Sequence, residues 1–169
     1  MLAEIADFEG APKLYFASEQ KEEDTLRFCI GMEYIAGKSL FDLTQEKTIH
    51  FDWSKIGERL VKSLRRLHDH YGISHGDLSP KNVLIRSVDH RAILIDWEFA
   101  EKIADQNLSS YESYRGTQGF NSLDGTSGLI LKDQEALNAC LKYCGVLDHL
   151  PVETKAFSGF FSKWFKGKK

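Results

Sequence analysis

Cysteine is scarce in this chain: only Cys29, Cys140 and Cys144 occur, with no CxxC spacing. So small and odd a set weighs against a disulfide framework or a zinc site, and it fits a reducing compartment. Cys140 and Cys144 lie four apart in an apolar helical pattern, where buried core thiols are expected. Charge of either sign is not in excess. With 22 basic and 25 acidic residues the net charge is −3, so no global field draws nucleic acid and no such partner is expected. Long apolar runs are missing: nothing approaches the roughly 18 residues of a membrane span. The opening MLAEIADFEGAPKLYF lacks the basic and long apolar regions of a signal peptide. Repeats and low-complexity segments are absent as well. These absences lead to the expectation of a soluble cytoplasmic domain.

What is present argues for a folded protein. Hydrophobic residues make up 42% and aromatics 12% of 169 residues, enough for one domain with a core and too little chain for two ordinary ones. Residues 2–9 read as the last turns of a helix, closed by Gly10 and Pro12. LYFASE and LRFCIGMEYI read as strands joined by the charged turn EQKEED. AGKSLFDL reads as a bend into a short helix. From Ser54 to His70, Ile56, Leu60, Val61, Leu64 and Leu67 recur at helical spacing. VLI (83–85) and ILI (93–95) form a compact hairpin around SVDHRA. The segment 101–128 reads as a long loop, and 133–144 returns to helix.

The stretch His75–Ala100, HGDLSPKNVLIRSVDHRAILIDWEFA, carries the chemistry. Asp77 follows the strand-like GIS and precedes the turn-forming Ser79-Pro80, which suits an acid that accepts a hydroxyl proton. Asn82 and Asp96 offer two hard oxygen donors on neighbouring segments, a set suited to Mg²⁺. Lys81 places a positive charge beside the acid, where it can steady a phosphate in transfer. Each residue has a plainer role available: Asp77 as a turn acid, Asp96 as a strand-end acid, Lys81 as a surface lysine. Their order and spacing favour phosphoryl transfer.

HGDLSPKN resembles the kinase catalytic loop H-R-D-L-x-x-x-N, with Gly76 in place of Arg, and IDWE resembles the metal-binding D-F-G element. The two acids lie 19 residues apart (96 − 77), as in that superfamily. HGD with DWE also leans toward aminoglycoside and choline phosphotransferases and lipopolysaccharide kinases. GMEYIAGKSLFDL looks like a kinase strand, hinge and following helix, with Met32 as gatekeeper. The resemblance implies that backbone groups of Glu33 and Ile35 bind an adenine edge. RGTQGFNSLD is similar to the G-T-P-G-Y-x-A-P-E segment, placing Asp124 where the family has Glu. KDQEALNACL looks like the central helix of the C-terminal lobe, with Asp133 holding the catalytic-loop backbone. His75 and Trp97 take packing roles beneath the site.

The resemblance implies an α+β protein kinase-like fold in one domain over 1–169, mainly the helical C-terminal lobe. Residues 1–36 would be a partial N-terminal lobe and hinge, and 37–169 the C-terminal lobe. The implied activity is transfer of the γ-phosphoryl of ATP, with Mg²⁺, to a hydroxyl acceptor on protein Ser/Thr, a sugar or lipopolysaccharide, or a small alcohol. Asp77 is the base, Lys81 the charge stabiliser, and Asn82 and Asp96 the metal ligands.

Several features depart from the family pattern. No GxGxxG and no V-A-I-K-like stretch occurs in the chain; in this alignment both precede Met1. Glu4 is a candidate for the helix glutamate. Gly76 leaves a phosphate on Thr117 or a nearby Ser or Tyr with one fewer basic partner, and Asp124 would lack the distal arginine that the family's Glu pairs with. Three readings follow: an enzyme, a pseudokinase-type binding module, or a natural protein that begins further upstream. In the tail, Phe157, Phe160, Phe161, Trp164 and Phe165 recur on one helical face beside Lys163, Lys166, Lys168 and Lys169. Weak membrane-surface contact through Phe157–Lys169 is one reading; a last helix packing on the lobe is the favoured one.

Overall fold

The computed structural model describes residues 2–22, 25–46, 51–103 and 129–145. Thr117, Asp124 and the aromatic tail lie outside the described residues. A short 3-10 helix, Leu2–Ile5, opens the chain where a helix end was expected. It delivers Ile5 and Phe8 into the core, with Phe8 edge-on to Tyr71 and Trp97.

Strands β1 (Leu14–Glu22) and β2 (Thr25–Met32) pair antiparallel from Leu14↔Met32 to Glu22↔Thr25. Strand β1 therefore continues through Gln20-Lys21-Glu22, residues that charge alone assigned to the turn. The pairing is carried by backbone, and Glu19 and Lys21 sit opposite Phe28 and Leu26 with all four exposed. Ladder bonds do not require apolar side chains, so composition misplaced the strand end.

Strand β3 (Gly37–Ser39) leads directly into helix α1 (Leu40–Gln45). Ser39 caps that helix: its Oγ accepts from the Asp42 N–H at 3.0 Å and donates to the Asp42 carboxylate at 2.6 Å. Helix α2 (Trp53–Tyr71) starts one residue earlier and ends one later than its periodicity indicates. Asp52 caps its N-terminus through the Lys55 N–H, and Gly72, in the left-handed conformation at φ 64°, closes the other end. Ile56, Leu60, Val61, Leu64 and Leu67 are all buried on its inner face. Burying that stripe contributes roughly 1.5–3 kcal/mol per fully buried side chain, which is what holds the helix in place.

Strands β4 (Ile73–Ser74), β5 (Val83–Arg86), β6 (Ala92–Leu94) and β7 (Glu101–Lys102) follow, and helix α3 (Leu129–Tyr143) packs against α2. Strands β5 and β6 form the expected hairpin, Val83↔Leu94 to Ile85↔Ala92, and β3 adds along β5. The pairing of β4 with β7 places Glu101 and Lys102 in a strand, where a loop was expected. Two-residue strands leave no periodicity to read. The core joins Leu40 and Leu43 of α1, the inner face of α2, the β5–β6 hairpin, and Ala136, Leu137 and Leu141 of α3. This mixed strand and helix architecture is the α+β kind that the sequence implied. Cys140 is buried and Cys144 half-buried, as expected, and burial pushes the Cys144 thiol up to about 12. No helix among the described residues is long and apolar enough to cross a membrane.

Candidate active site

The segment between β4 and β5 is held from below by one carboxylate. Asp133, on α3 and 1% exposed, accepts through Oδ2 from the His75 N–H (2.7 Å), the Ser74 hydroxyl (2.9 Å) and His68 Nε2 (2.8 Å). Its Oδ1 accepts from the Gly76 N–H at 2.9 Å. A buried carboxylate is stable only when its lone pairs are filled, and this one is filled by the loop that it anchors. The role given to Asp133 on resemblance is therefore visible in the geometry. His68 was missed. Its signal was a polar residue on the apolar stripe of α2, four residues after Leu64, where burial demands a partner.

His75 is fully buried and packs 4.7 Å from the Trp97 ring, centroid to centroid. Its Nε2 lies 3.0 Å from the Ile95 carbonyl, which can only accept, so Nε2 carries the proton. Its Nδ1 accepts from the Asp77 N–H at 3.3 Å. Both bonds require the neutral Nε2–H tautomer. Burial agrees, pushing the His75 pKa below the ordinary imidazole value against the pull of Asp133, Asp77 and Asp96. This histidine is a packing and orienting group, not a proton carrier.

Gly76 has φ 81°, and a Cβ there would lie 2.1 Å from the Phe99 carbonyl oxygen. Glycine takes such a backbone without strain, whereas a side chain would require the Phe99 backbone to shift. The residue read as a departure from the family's arginine thus lies in close approach to the Phe99 backbone.

Asp77 is buried, and Asn82 Nδ2 donates both to its Oδ2 and to its carbonyl oxygen, each at 2.9 Å. Those bonds fix the carboxylate plane. They also orient the Asn82 amide, with Nδ2 toward Asp77 and Oδ1 on the other side. The Ile95 N–H donates to the Asn82 carbonyl at 2.9 Å, so the β5–β6 hairpin sets Asn82 beside the segment that carries Asp96. Asp96 turns off β6 in the left-handed conformation, φ 63°, and is exposed. Two hard oxygen donors on adjacent segments fit Mg²⁺ in chemistry.

Lys81 is exposed, and its ammonium sits 5.3 Å over the Phe41 ring, which stacks on Tyr143. Sequence reasoning had no signal for this aromatic support. Ser79, between Asp77 and Lys81, is the one buried side-chain polar group among the described residues without a hydrogen-bond partner. At the hinge, the Glu33 N–H donates to the Lys13 carbonyl at 2.8 Å and its carboxylate reaches Arg86 and the Lys13 N–H. The Glu33 N–H is thus engaged within the chain. Ile35 is buried and Met32 exposed. Glu4 pairs with Lys102 of β7 at 2.5 Å, and that hydrogen bond and charge hold its carboxyl below the ordinary range.

The chain matches the family model of the protein kinase domain over residues 14–123, more than half its length. It is 31% identical over 154 residues to serine/threonine-protein kinase D of Synechocystis, covering 84% of this chain and 28% of that protein. A serine/threonine-protein kinase of Caenorhabditis elegans is 34% identical over 50% of this chain and 9% of its own length. Atrial natriuretic peptide receptor 2 of Anguilla japonica is 33% identical over 53% of this chain and 8% of the receptor. The chain thus spans less than a third of each of these relatives.

Proposed function

The chain belongs to the protein kinase family, and from that footing we propose that it is an ATP-dependent phosphotransferase acting on protein serine or threonine hydroxyls. The single observation that carries the reading is the Asp77–Asn82–Ile95 linkage. It ties a buried, oriented carboxylate to the turn bearing Asp96. Serine/threonine acceptors are favoured by the names of two relatives, and a sugar hydroxyl is the alternative.

Asp77 takes the acceptor's hydroxyl proton as that oxygen bonds to the γ-phosphorus and the bond to the β–γ bridging oxygen breaks, releasing ADP. Asn82 keeps the Asp77 carboxylate in plane, and Lys81 supplies positive charge on the acceptor side. Backbone groups of Glu33 and Ile35 receive the adenine edge. Asn82 Oδ1 and the Asp96 carboxylate would hold Mg²⁺, whose part is to neutralise phosphate charge. Residues 1–36 act as N-terminal-lobe strands and hinge, and 37–169 as the C-terminal lobe.

The alternative is a nucleotide-binding module without turnover. Radiolabelled transfer to a mixed Ser/Thr peptide pool, paired with thermal shift in Mg·ATP, separates the two. The enzyme reading expects transfer that Asp77→Asn abolishes while the shift survives, and Asp96→Ala abolishes both. A shift without transfer supports the binding module. Neither transfer nor shift defeats both.

A further inference from the structure

Away from the site, a cavity of about 320 Å³ opens between the segment Phe8–Gly10, the outer face of α2 and the start of β6. It is lined by four cations, Arg59, Lys62, Arg66 and Arg91, and one acid, Glu9. Glu9 is already committed: its Oε2 accepts from Arg91 Nη1 at 2.8 Å, and Arg91 Nε reaches Asp89 at 3.1 Å. Arg91 is thereby balanced and fixed at the rim.

The three α2 cations are in a different position. Arg59, half-buried, donates through Nη1 to the carbonyls of Asp89 (2.9 Å) and His90 (3.0 Å). Carbonyls orient a guanidinium without cancelling its charge. Arg66 hydrogen-bonds Tyr71, whose hydroxyl donates to Asp7 at 3.0 Å. Arg59, Lys62 and Arg66 stand at i, i+3 and i+7, so their stems rise from one face, with the Ser63 hydroxyl beside them. Like charges at that spacing repel, which disfavours them unless an anion answers. A basic stripe on an outer helix face is usually just solvated. This one is instead the wall of a concavity, floored by Phe8 and Ala92 and closed by a second chain segment. Gly10 keeps that floor in place, because a Cβ there would lie 2.5 Å from the Phe8 ring.

We propose that this cavity is a phosphate-monoester site, binding a dianionic phosphoryl group through Arg59, Lys62 and Arg66, with Ser63 as a further donor. Guanidinium forks match phosphate oxygens bidentately, and two negative charges answer the cluster of cations. The source of the group is either a phosphorylated side chain or free phosphate. The cavity shares no residue with Asp77, Asn82 and Asp96, so the inference stands whether or not the chain transfers phosphate.

The test is a titration of the full chain at constant ionic strength with inorganic phosphate and with O-phosphoserine, read by NMR at the amides of Ser63, Arg66 and Arg91. Saturable shifts confined to this cavity are expected, with Lys62→Ala/Arg66→Ala weakening binding about tenfold or more. The thermal shift in Mg·ATP should be the same in that variant as in the wild type, which also shows that it folds. Tighter binding of O-phosphoserine identifies a phosphorylated side chain as the source, and equal binding identifies the phosphate group alone. Absence of saturation at millimolar ligand, the same response to chloride, or unchanged affinity in the double variant overturns the proposal.

Discussion

Replacing Asp133 tests whether one carboxylate organises the whole loop. Four donors converge on it, from His68, Ser74, His75 and Gly76, at 2.7–2.9 Å in a buried setting. Hydrogen bonds to a charged acceptor contribute about 1.5–3 kcal/mol each, but donors sharing one acceptor are not additive. The relevant scale is the roughly 3–5 kcal/mol lost when one partner of a buried charged pair is removed. Asp133→Ala leaves two backbone N–H groups, a hydroxyl and an imidazole without their acceptor, which puts the loss at the upper end of that range. For a domain of this size, each kcal/mol shifts Tm by about 2–4 °C, so the expected fall is about 10–15 °C. Asp133→Asn keeps one acceptor oxygen but turns an NH₂ toward the remaining donors, so about half the loss is expected. Thermal unfolding by circular dichroism gives the global number. Hydrogen exchange at the His75 and Gly76 amides gives the local one, and both amides should lose protection even in Asp133→Asn. An Asp133→Ala protein melting within about 2 °C of the wild type, or unchanged exchange at those amides, would refute the reasoning.

Gly76→Ala should cost about 2–4 kcal/mol, since the new Cβ meets the Phe99 carbonyl oxygen at 2.1 Å on backbone already at φ 81°. Equilibrium urea unfolding measures it, and a midpoint equal to the wild type's contradicts the steric account. His75 should stay neutral at pH 6. Its folded pKa lies below the unfolded value, so the unfolded chain binds the extra proton first, and stability falls as pH drops below about 6.5 toward the folded value. An imidazole NMR titration reads this directly, and a His75 midpoint at or above about 6.5 shows the burial argument to be wrong.

Elements with a long apolar repeat were legible because their side chains and their burial carry the same period. The stripe Ile56–Leu67 and the VLI/ILI hairpin are cases where sequence pattern and structure coincide. Strands β3, β4 and β7 span three, two and two residues, too few to show alternation, and they exist through backbone pairing that no side chain announces. The hairpin β1–β2 fails in another way. Phe28 is 67% and Tyr15 66% exposed, so hydrophobic content overstated the core. At the site, residue types and spacing name Asp77, Asn82 and Asp96, and the first two are hydrogen-bonded to each other. The donors from His68 and Ser74 and the ring under Lys81 depended on contacts between elements distant in sequence.

Gly76 shows how a departure from a motif changes meaning once geometry is known. By residue type it is an arginine lost, and the consequence drawn is a weaker answer to a phosphate elsewhere. By geometry it is the point where the Asp77 turn meets the backbone that follows Asp96. Trp97 belongs to the same arrangement: its indole N–H donates to the Leu94 carbonyl at 2.9 Å while its ring packs on His75. A side chain at position 76 would require the Phe99 backbone to shift. The close approach of Gly76 to Phe99 thus sets the backbone of one acidic turn against the segment that follows the other. Glycine at this position is accommodated without strain, where any side chain would need the Phe99 backbone to move.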